Sequence, residues 1–185
     1  MRPIRISLLF MLALCLAGCV TGDTPEQKRA VVRQMRTEVL NDLYRNKPDV
    51  RQQVSDATGY AVFSNANVNL ILASFGGGYG VVHDNRSGAD TYLKMGEVGL
   101  GFGAGIKDFR IVMVFHNSDA FARFMDYGLA VGAQADAAAV ASDKGAAVGG
   151  ELQLDNITVY QLTEAGLALQ ATIKGTKYWP DPELN

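Results

Sequence analysis

Thiols are almost absent from this chain of 185 residues: Cys15 and Cys19 are its two cysteines, both near the N-terminus. If the first eighteen residues are a removable leader, one cysteine is left, which excludes an intrachain disulfide and a cysteine-based zinc site. Histidine is as scarce, with His83 and His116 alone. Two isolated imidazoles fall short of a typical three-ligand catalytic zinc site, and no G-x-S-x-G nucleophile elbow occurs. No catalytic, metal or cofactor residue is therefore assigned, and catalysis is the least favoured class. A cationic surplus is missing too: 17 Lys+Arg stand against 19 Asp+Glu, which argues against a general nucleic-acid binder. With 48% hydrophobic and 19% charged residues, the chain has the composition of a packed globular domain and not of a disordered one.

What is present begins with a leader. Arg2 and Arg5 precede the apolar run Ile6–Ala17, too short to span a bilayer, which takes ~20 apolar residues, but long enough for a signal-peptide core. The following Leu16-Ala17-Gly18-Cys19 resembles a bacterial lipobox, in which cleavage before the cysteine exposes a thiol and an amine for acylation. This predicts a leader over 1–18, lipidation at Cys19 (diacylglycerol plus an amide-linked chain of palmitate type) and a tether over 19–23. Two acyl chains at ~0.8 kcal/mol per buried CH₂ hold a protein on a membrane with little reversibility. Val20 stands where lipoproteins retained in the inner membrane often carry Asp, so the expected address is the outer membrane, facing the periplasm.

Basic side chains gather next to that anchor. Residues 19–51 hold seven bases and five acids, whereas 52–185 hold eight and fourteen. Thr24 can cap a helix with Pro25 at its first position, and the helical period runs to about Asn46. Val32, Met35, Val39, Leu40, Leu43 and Tyr44 form its apolar stripe. Lys28, Arg29, Arg33 and Arg36 occupy its first half and are the candidate contact for anionic lipid headgroups, each well-placed base contributing about 1 kcal/mol. The bland alternative is a helix that packs its stripe and solvates its charges. Asp49 to Ala57 reads as a second short helix.

From Gly59 the period changes to two. Tyr60–Phe63 and Asn69–Val82 are expected strands, Asp84–Asp90 a turn, and Thr91–Ile106 and Phe109–His116 further strands. Ten of the twenty glycines fall between residues 76 and 105. Gly76, Gly78 and Gly80 share one face, and Gly99, Gly101 and Gly103 share another. Such faces admit close approach, either of sheet to sheet under sharp curvature or of an acyl chain in a shallow groove. The match of Gly99-Leu-Gly-Phe-Gly-Ala104 to a dinucleotide fingerprint is set aside, because its glycines alternate along a strand instead of opening a helix. A short helix capped by Asn117 or Ser118 and stopped by Gly128 follows, with Phe121, Phe124 and Met125 facing inward. Leu129–Ala141 is ambiguous, Asp143–Gly145 is a turn, Ile157–Leu162 and Gly166–Ile173 are strands, and Tyr178-Trp179-Pro180 is an edge beyond which the chain frays. The expected class is α+β: a mainly antiparallel, glycine-rich sheet, sandwich- or barrel-like, with N-terminal helices and one short helix after the central strands. A single domain covers 24–180, with a tail over 181–185.

The blocks Glu38-Val-Leu, Gly59-Tyr-Ala-Val-Phe63, Phe75-Gly-Gly-Gly-Tyr-Gly-Val-Val82 and Gly99–Gly105, then Ser118–Phe124, Ala135–Ala137, Val159-Tyr160 and Gly166-Leu167, occur in an order that resembles the SYLF domain, also called the Ysc84 actin-binding domain. The resemblance covers about Thr24 to Trp179. It implies phospholipid binding, with phosphoinositides preferred by eukaryotic members, through an amphipathic N-terminal helix and basic residues; here these are Lys28, Arg29, Arg33 and Arg36. Ser64 stands where the family usually has proline. No SH3 or FYVE pattern accompanies the domain, and a periplasm-facing protein meets neither actin nor a normal phosphoinositide pool. The expectation is an envelope lipoprotein whose partner is an anionic phospholipid membrane, with neither nucleic acid nor actin as a partner. The alternative is a structural lipoprotein whose glycine-rich sheet binds an envelope protein.

Overall fold

The computed structural model describes residues 21–71, 73–100, 103–128, 151–154, 156–163, 166–167 and 173–185. The expected leader, Cys19, Gly101, the segment Leu129–Ala141 and the turn at Asp143–Gly145 lie outside the described residues.

Helix α1 runs Pro25–Asn46. Thr24 and Gln27 fix its start reciprocally: the Gln27 backbone N–H donates to Thr24 Oγ1 at 3.2 Å, and the Thr24 N–H donates to Gln27 Oε1 at 3.1 Å. Pro25, which has no N–H to leave unpaired, fits the first turn. Val32, Met35, Val39 and Leu43 are the buried stripe. Helix α2 (Val50–Asp56) follows the break at Pro48 and buries Val50 and Val54. Helix α3 (Ser118–Tyr127) is capped by Asn117, whose side chain accepts from the Ala120 N–H, and is ended by Gly128 at φ 70°.

Among the described residues eight strands form one antiparallel sheet: β1 (Gly59–Ile71), β2 (Ala73–Asp84), β3 (Asp90–Leu100), β4 (Gly103–Phe115), β5 (Glu151–Leu154), β6 (Ile157–Thr163), β7 (Gly166–Leu167) and β8 (Ile173–Pro180). Their order is β5-β6-β4-β1-β2-β3-β8, with β7 also paired to β6. The α+β class with a mainly antiparallel sheet is thus what the structure has.

Two expected strand boundaries move. The run Asn69–Val82 is not one strand: β1 ends at Ile71, β2 starts at Ala73, and the two pair from Gly59↔Asp84 to Leu70↔Ala73. Thr91–Ile106 likewise divides, because β3 ends at Leu100 and β4 starts at Gly103. Both reversals occur where no proline or Asn-Gly marks them. Of the strand expected over 166–173, Gly166–Leu167 pairs with β6, and β8 begins at Ile173. Nor does the chain fray after Pro180: Asp181 and Leu184 are buried, and Asn185 exchanges hydrogen bonds with the Tyr92 backbone at 2.8 and 2.9 Å.

The spatial order β4-β1-β2-β3 is that of a Greek key. Three inter-strand gaps separate β3 from β4, about 14 Å in a flat sheet. Three Cα–Cα steps from Leu100 to Gly103 reach at most about 11.4 Å. The sheet must therefore curl at the end where the β1–β2 hairpin and the β3–β4 connection lie.

A hydrophobic cluster occupies each face. On one, Val62, Val81, Tyr92, Val112, Val114, Tyr160 and Leu162 pack with α1 and α2. On the other, Ala61, Phe63, Val82, Leu93, Met95, Ile111, Met113 and Phe115 pack with Phe121 and Phe124 of α3 and with Tyr178.

Candidate functional site

The four basic residues in the first half of α1 do not form a bare cationic face. Lys28 Nζ lies 2.5 Å from Glu183 Oε1, and Arg29 Nε donates to the Leu184 carbonyl at 2.9 Å. Arg33 donates to the Tyr92 hydroxyl at 3.1 Å and to Glu26 at 2.8 Å. Arg36 pairs with Asp90 at 2.8 Å, and the two side chains are 19% and 20% exposed. The hydrogen bonds from Arg33 and then Arg29 hold the Glu26 carboxyl below its usual range. Lys28 and Arg29 thus clasp the C-terminal tail, while Arg33 and Arg36 fasten α1 to β3. Among the four, Arg33 keeps the most exposed side chain, at 40%.

Close approach explains two of the glycines directly. A Cβ at Gly78 would lie 2.2 Å from the Ser64 carbonyl oxygen and 3.0 Å from Asn65 Cα. One at Gly80 would lie 2.3 Å from both the Phe63 ring and the Val62 carbonyl oxygen. The space beside these residues is filled by β1 itself. Gly76 is buried on β2, opposite Asn67 and Glu97, and Gly99 and Gly103 hold register positions opposite Ser74 and Ile71.

Beside this glycine face lies a buried polar group that the sequence did not mark. Asn65 Nδ2 donates to Glu97 at 3.2 Å, and both side chains are buried, as are Thr176 and Tyr178. Burial first, and the Glu97 charge second, push the Tyr178 phenol far above its ordinary range, so it stays protonated. Among the described residues its hydroxyl and Asn65 Oδ1 are buried without a hydrogen-bond partner.

The histidines serve local packing. His83 Nδ1 lies 2.6 Å from Asp90 Oδ1, not against the adjacent Asp84, and its ring stacks at 5.2 Å on Tyr60. His116 Nε2 lies 2.7 Å from Thr158 Oγ1. Among the described residues no group of three His, Cys, Asp or Glu is placed to hold a metal ion.

Sequence reasoning also missed an apolar surface. Among the described residues the exposed large hydrophobics are Phe75, Val98, Tyr127 and Trp179. Three of them share one face of neighbouring strands. Phe75 pairs with Val98, and Trp179 lies over Gly96 two positions along β3. The signal was present as alternation, but finding it needs the pairing register.

Residues 96–185, from the second half of β3 to the C-terminus, match the family model described as Ysc84, Las17-binding protein actin regulator. A curated protein, Beta cell expansion factor A of Aeromonas veronii, is 31% identical over 161 residues, which cover 87% of this chain and 60% of that protein. The chain therefore spans less than two thirds of that relative's length. Residues 96–185 therefore carry the pattern of the Ysc84, or SYLF, family, and most of the chain is similar to that relative.

Proposed function

We propose that this chain is a lipid-anchored envelope protein whose SYLF domain binds anionic phospholipid. The family match over residues 96–185 is the observation that carries the reading, joined by a lipobox-like Leu16-Ala17-Gly18-Cys19 six residues before the first helix. Acylation of Cys19 fixes the protein to a membrane, and the domain then adds a headgroup contact that orients it or grips a second bilayer. Val20 directs the anchor to the outer membrane, with the domain in the periplasm. Of the four cations in the first half of α1, Arg33 is best placed to reach a headgroup and Arg36 the worst. In that compartment the actin-regulator label of the family describes other members.

The test is co-sedimentation of the chain from Val20 onward with neutral and anionic vesicles, together with metabolic acyl labelling of the full chain and of Cys19→Ser. Binding to anionic vesicles that weakens steeply from low to physiological ionic strength, and labelling that Cys19→Ser abolishes, are the expected results. Absence of vesicle binding sinks the lipid reading in favour of a second one: an envelope protein docks on the sheet. The internal pairing of Lys28, Arg29, Arg33 and Arg36 is the observation that favours it.

A further inference from the structure

The part of the sheet that α1 leaves uncovered has an ordered composition. Moving from the helix toward the hairpin ends, the register first gives the buried row Val112–Val62–Val81–Tyr92. Two residues further along each strand the row is Arg110–Ser64–Tyr79–Lys94–Trp179. Next comes Asp108–Ala66–Gly77–Gly96–Lys177, and then Ile106–Val68–Phe75–Val98–Gly175. On this face, therefore, a row with cations and aromatics precedes one in which Ala66, Gly77 and Gly96 lie between Asp108 and Lys177, and Phe75 and Val98 come next. In that row Phe75 is 44% exposed and Val98 59% exposed. The cationic side chains of the row that borders α1 are partly open, Arg110 at 45% beside Asp42 of α1 at 3.5 Å and Lys94 at 42% beside Asp181 at 3.4 Å, while Tyr79 between them packs against the α1 cluster.

Charge is distributed unevenly along the same axis. The segments 64–79, 94–110 and 173–179 contain Lys94, Lys107, Arg110, Lys174 and Lys177 but only Glu97 and Asp108 as acids, in a chain whose formal charge is −2. Glu97 is itself buried and accepts from Asn65. The hairpin end is thus a cationic pole on an acidic protein. Two such poles repel, so this surface is poorly suited to a second copy of the chain. An apolar tip ringed by Lys, Arg and Trp fits an anionic lipid surface, where tryptophan and basic side chains settle at headgroup level. The spacing agrees: four residues at ~3.3 Å separate the Lys94–Trp179 row from the Phe75–Val98 row, about 13 Å, comparable to a headgroup layer plus the ~5–10 Å reached by an interfacial apolar face.

We propose that the domain enters the bilayer interface with the hairpin end of the sheet, Phe75 and Val98 seating at the top of the acyl chains while Lys94, Arg110, Lys177 and Trp179 hold the headgroups. This rests on the reading that the domain binds anionic phospholipid, and adds which surface does so and how deeply. It assigns α1 a bracing role, since Lys28, Arg29, Arg33 and Arg36 are engaged by the tail and by β3.

Trp179 is the single tryptophan of the sequence, so its emission reports this surface alone. The chain from Val20 to Asn185, which keeps every described element, is mixed with vesicles of phosphatidylcholine containing about one-third phosphatidylglycerol, with bromines placed either near the headgroup or near the chain end. The expected result is a blue-shifted Trp179 emission, quenched more by the shallow bromines. The variant Phe75→Ser/Val98→Ser should lose about tenfold or more in partitioning with an unchanged unfolding midpoint, because both positions are exposed. Phe75→Leu/Val98→Leu should retain binding. If the serine variant binds like the parent while Lys28/Arg29/Arg33/Arg36→Ala does not, the hairpin-end assignment is overturned and phospholipid binding stands. Failure of the parent chain to bind overturns both. A parent chain that dimerises through this end, as shown by a monomeric serine variant, and leaves Trp179 unquenched assigns the surface to a second copy and overturns the proposal.

Discussion

Replacing Gly80 with alanine adds one methyl group at the most crowded point of the sheet. The new Cβ meets the Val62 carbonyl oxygen and Phe63 Cδ1, each at 2.3 Å, and Phe63 Cγ at 2.7 Å. Carbon contacts are comfortable at ~3.5–4.0 Å, so about an ångström must be found on two sides. Phe63 cannot supply it, because its ring is fully buried 4.6 Å from Tyr178 and 6.4 Å from Phe124. The carbonyl is backbone, held in the β1 ladder. Overpacking of this kind costs about 1–3 kcal/mol, and the double obstruction puts Gly80→Ala at the upper end. Alanine's lower unfolded-state entropy returns about 0.4–1 kcal/mol, leaving a net loss of about 2 kcal/mol. For a domain of this size that is a fall of roughly 4–8 °C in Tm. The control is Gly96→Ala, whose Cβ meets only Trp179 ring atoms at 3.1 and 3.3 Å, on a side chain 39% exposed and able to move. It should change stability by less than about 0.5 kcal/mol. Urea unfolding of both variants, and of Phe63→Leu/Gly80→Ala, measures the difference; the smaller side chain should recover about 1 kcal/mol through coupling. Wild-type stability in Gly80→Ala would refute the argument, since the glycine would then border open space of the kind a ligand groove requires.

Three further outcomes follow from the same structure. Arg36→Ala leaves the Asp90 carboxylate without its guanidinium partner, beside the His83 ring, and should cost about 1–3 kcal/mol, with a double-mutant cycle against Asp90→Asn showing positive coupling in urea melts. Leu184→Ala empties a site that is 2% exposed beneath α1 and should cost about 2–4 kcal/mol by the same measurement, whereas a fraying tail would lose nothing. The Asp84 carboxyl is pushed down to about 2 from 3.8, chiefly by the Arg86 side-chain hydrogen bond. Its folded value is depressed, so its contribution is present above pH 3.8 and is lost as pH falls toward about 2; Asp84→Asn should flatten that part of the stability profile in acid titrations followed by circular dichroism.

How far the sequence carried depends on whether a feature is local. Helix α1 was legible to its end residues, because Thr24, Pro25 and Gln27 act within one turn and the stripe from Val32 to Leu43 repeats every three or four positions. Helix α3 was legible for the same reason, through Asn117 and Gly128. Strand boundaries were not, since residues 69–74 contain no glycine or proline and Gly99 to Gly105 alternate straight through the second reversal. The basic residues of α1 could be found from sequence but their partners could not. Arg36 and Asp90 are separated by 54 residues, and Lys28 and Glu183 by 155, so nothing short of the tertiary fold shows that these cations are already engaged. The exposed row at Phe75 and Val98 was hidden in the same way, as two unremarkable members of alternating strands until the register set them side by side.

The glycines, the curl and the uncovered apolar row have a common origin in topology. The order β4-β1-β2-β3 with a connection of two residues between β3 and β4 cannot be closed by a flat sheet. Curling crowds the concave face, and Gly78 and Gly80, with no room for a Cβ, mark that face. On the opposite, convex face neighbouring side chains diverge, so a helix about 10 Å wide covers only part of it. Helix α1 covers the base, where Val32, Met35, Val39 and Leu43 meet Val62, Val81, Tyr92 and Val112, and is fastened there by Arg33 and Arg36 to β3. The hairpin end is then left with Phe75 and Val98 in the open. Among the described residues nothing covers them, and on the proposed reading a lipid surface would. On that reading a chain with an acidic total carries its Lys94, Arg110 and Lys177 beside the apolar surface that its described residues leave open, where an anionic lipid surface would meet both.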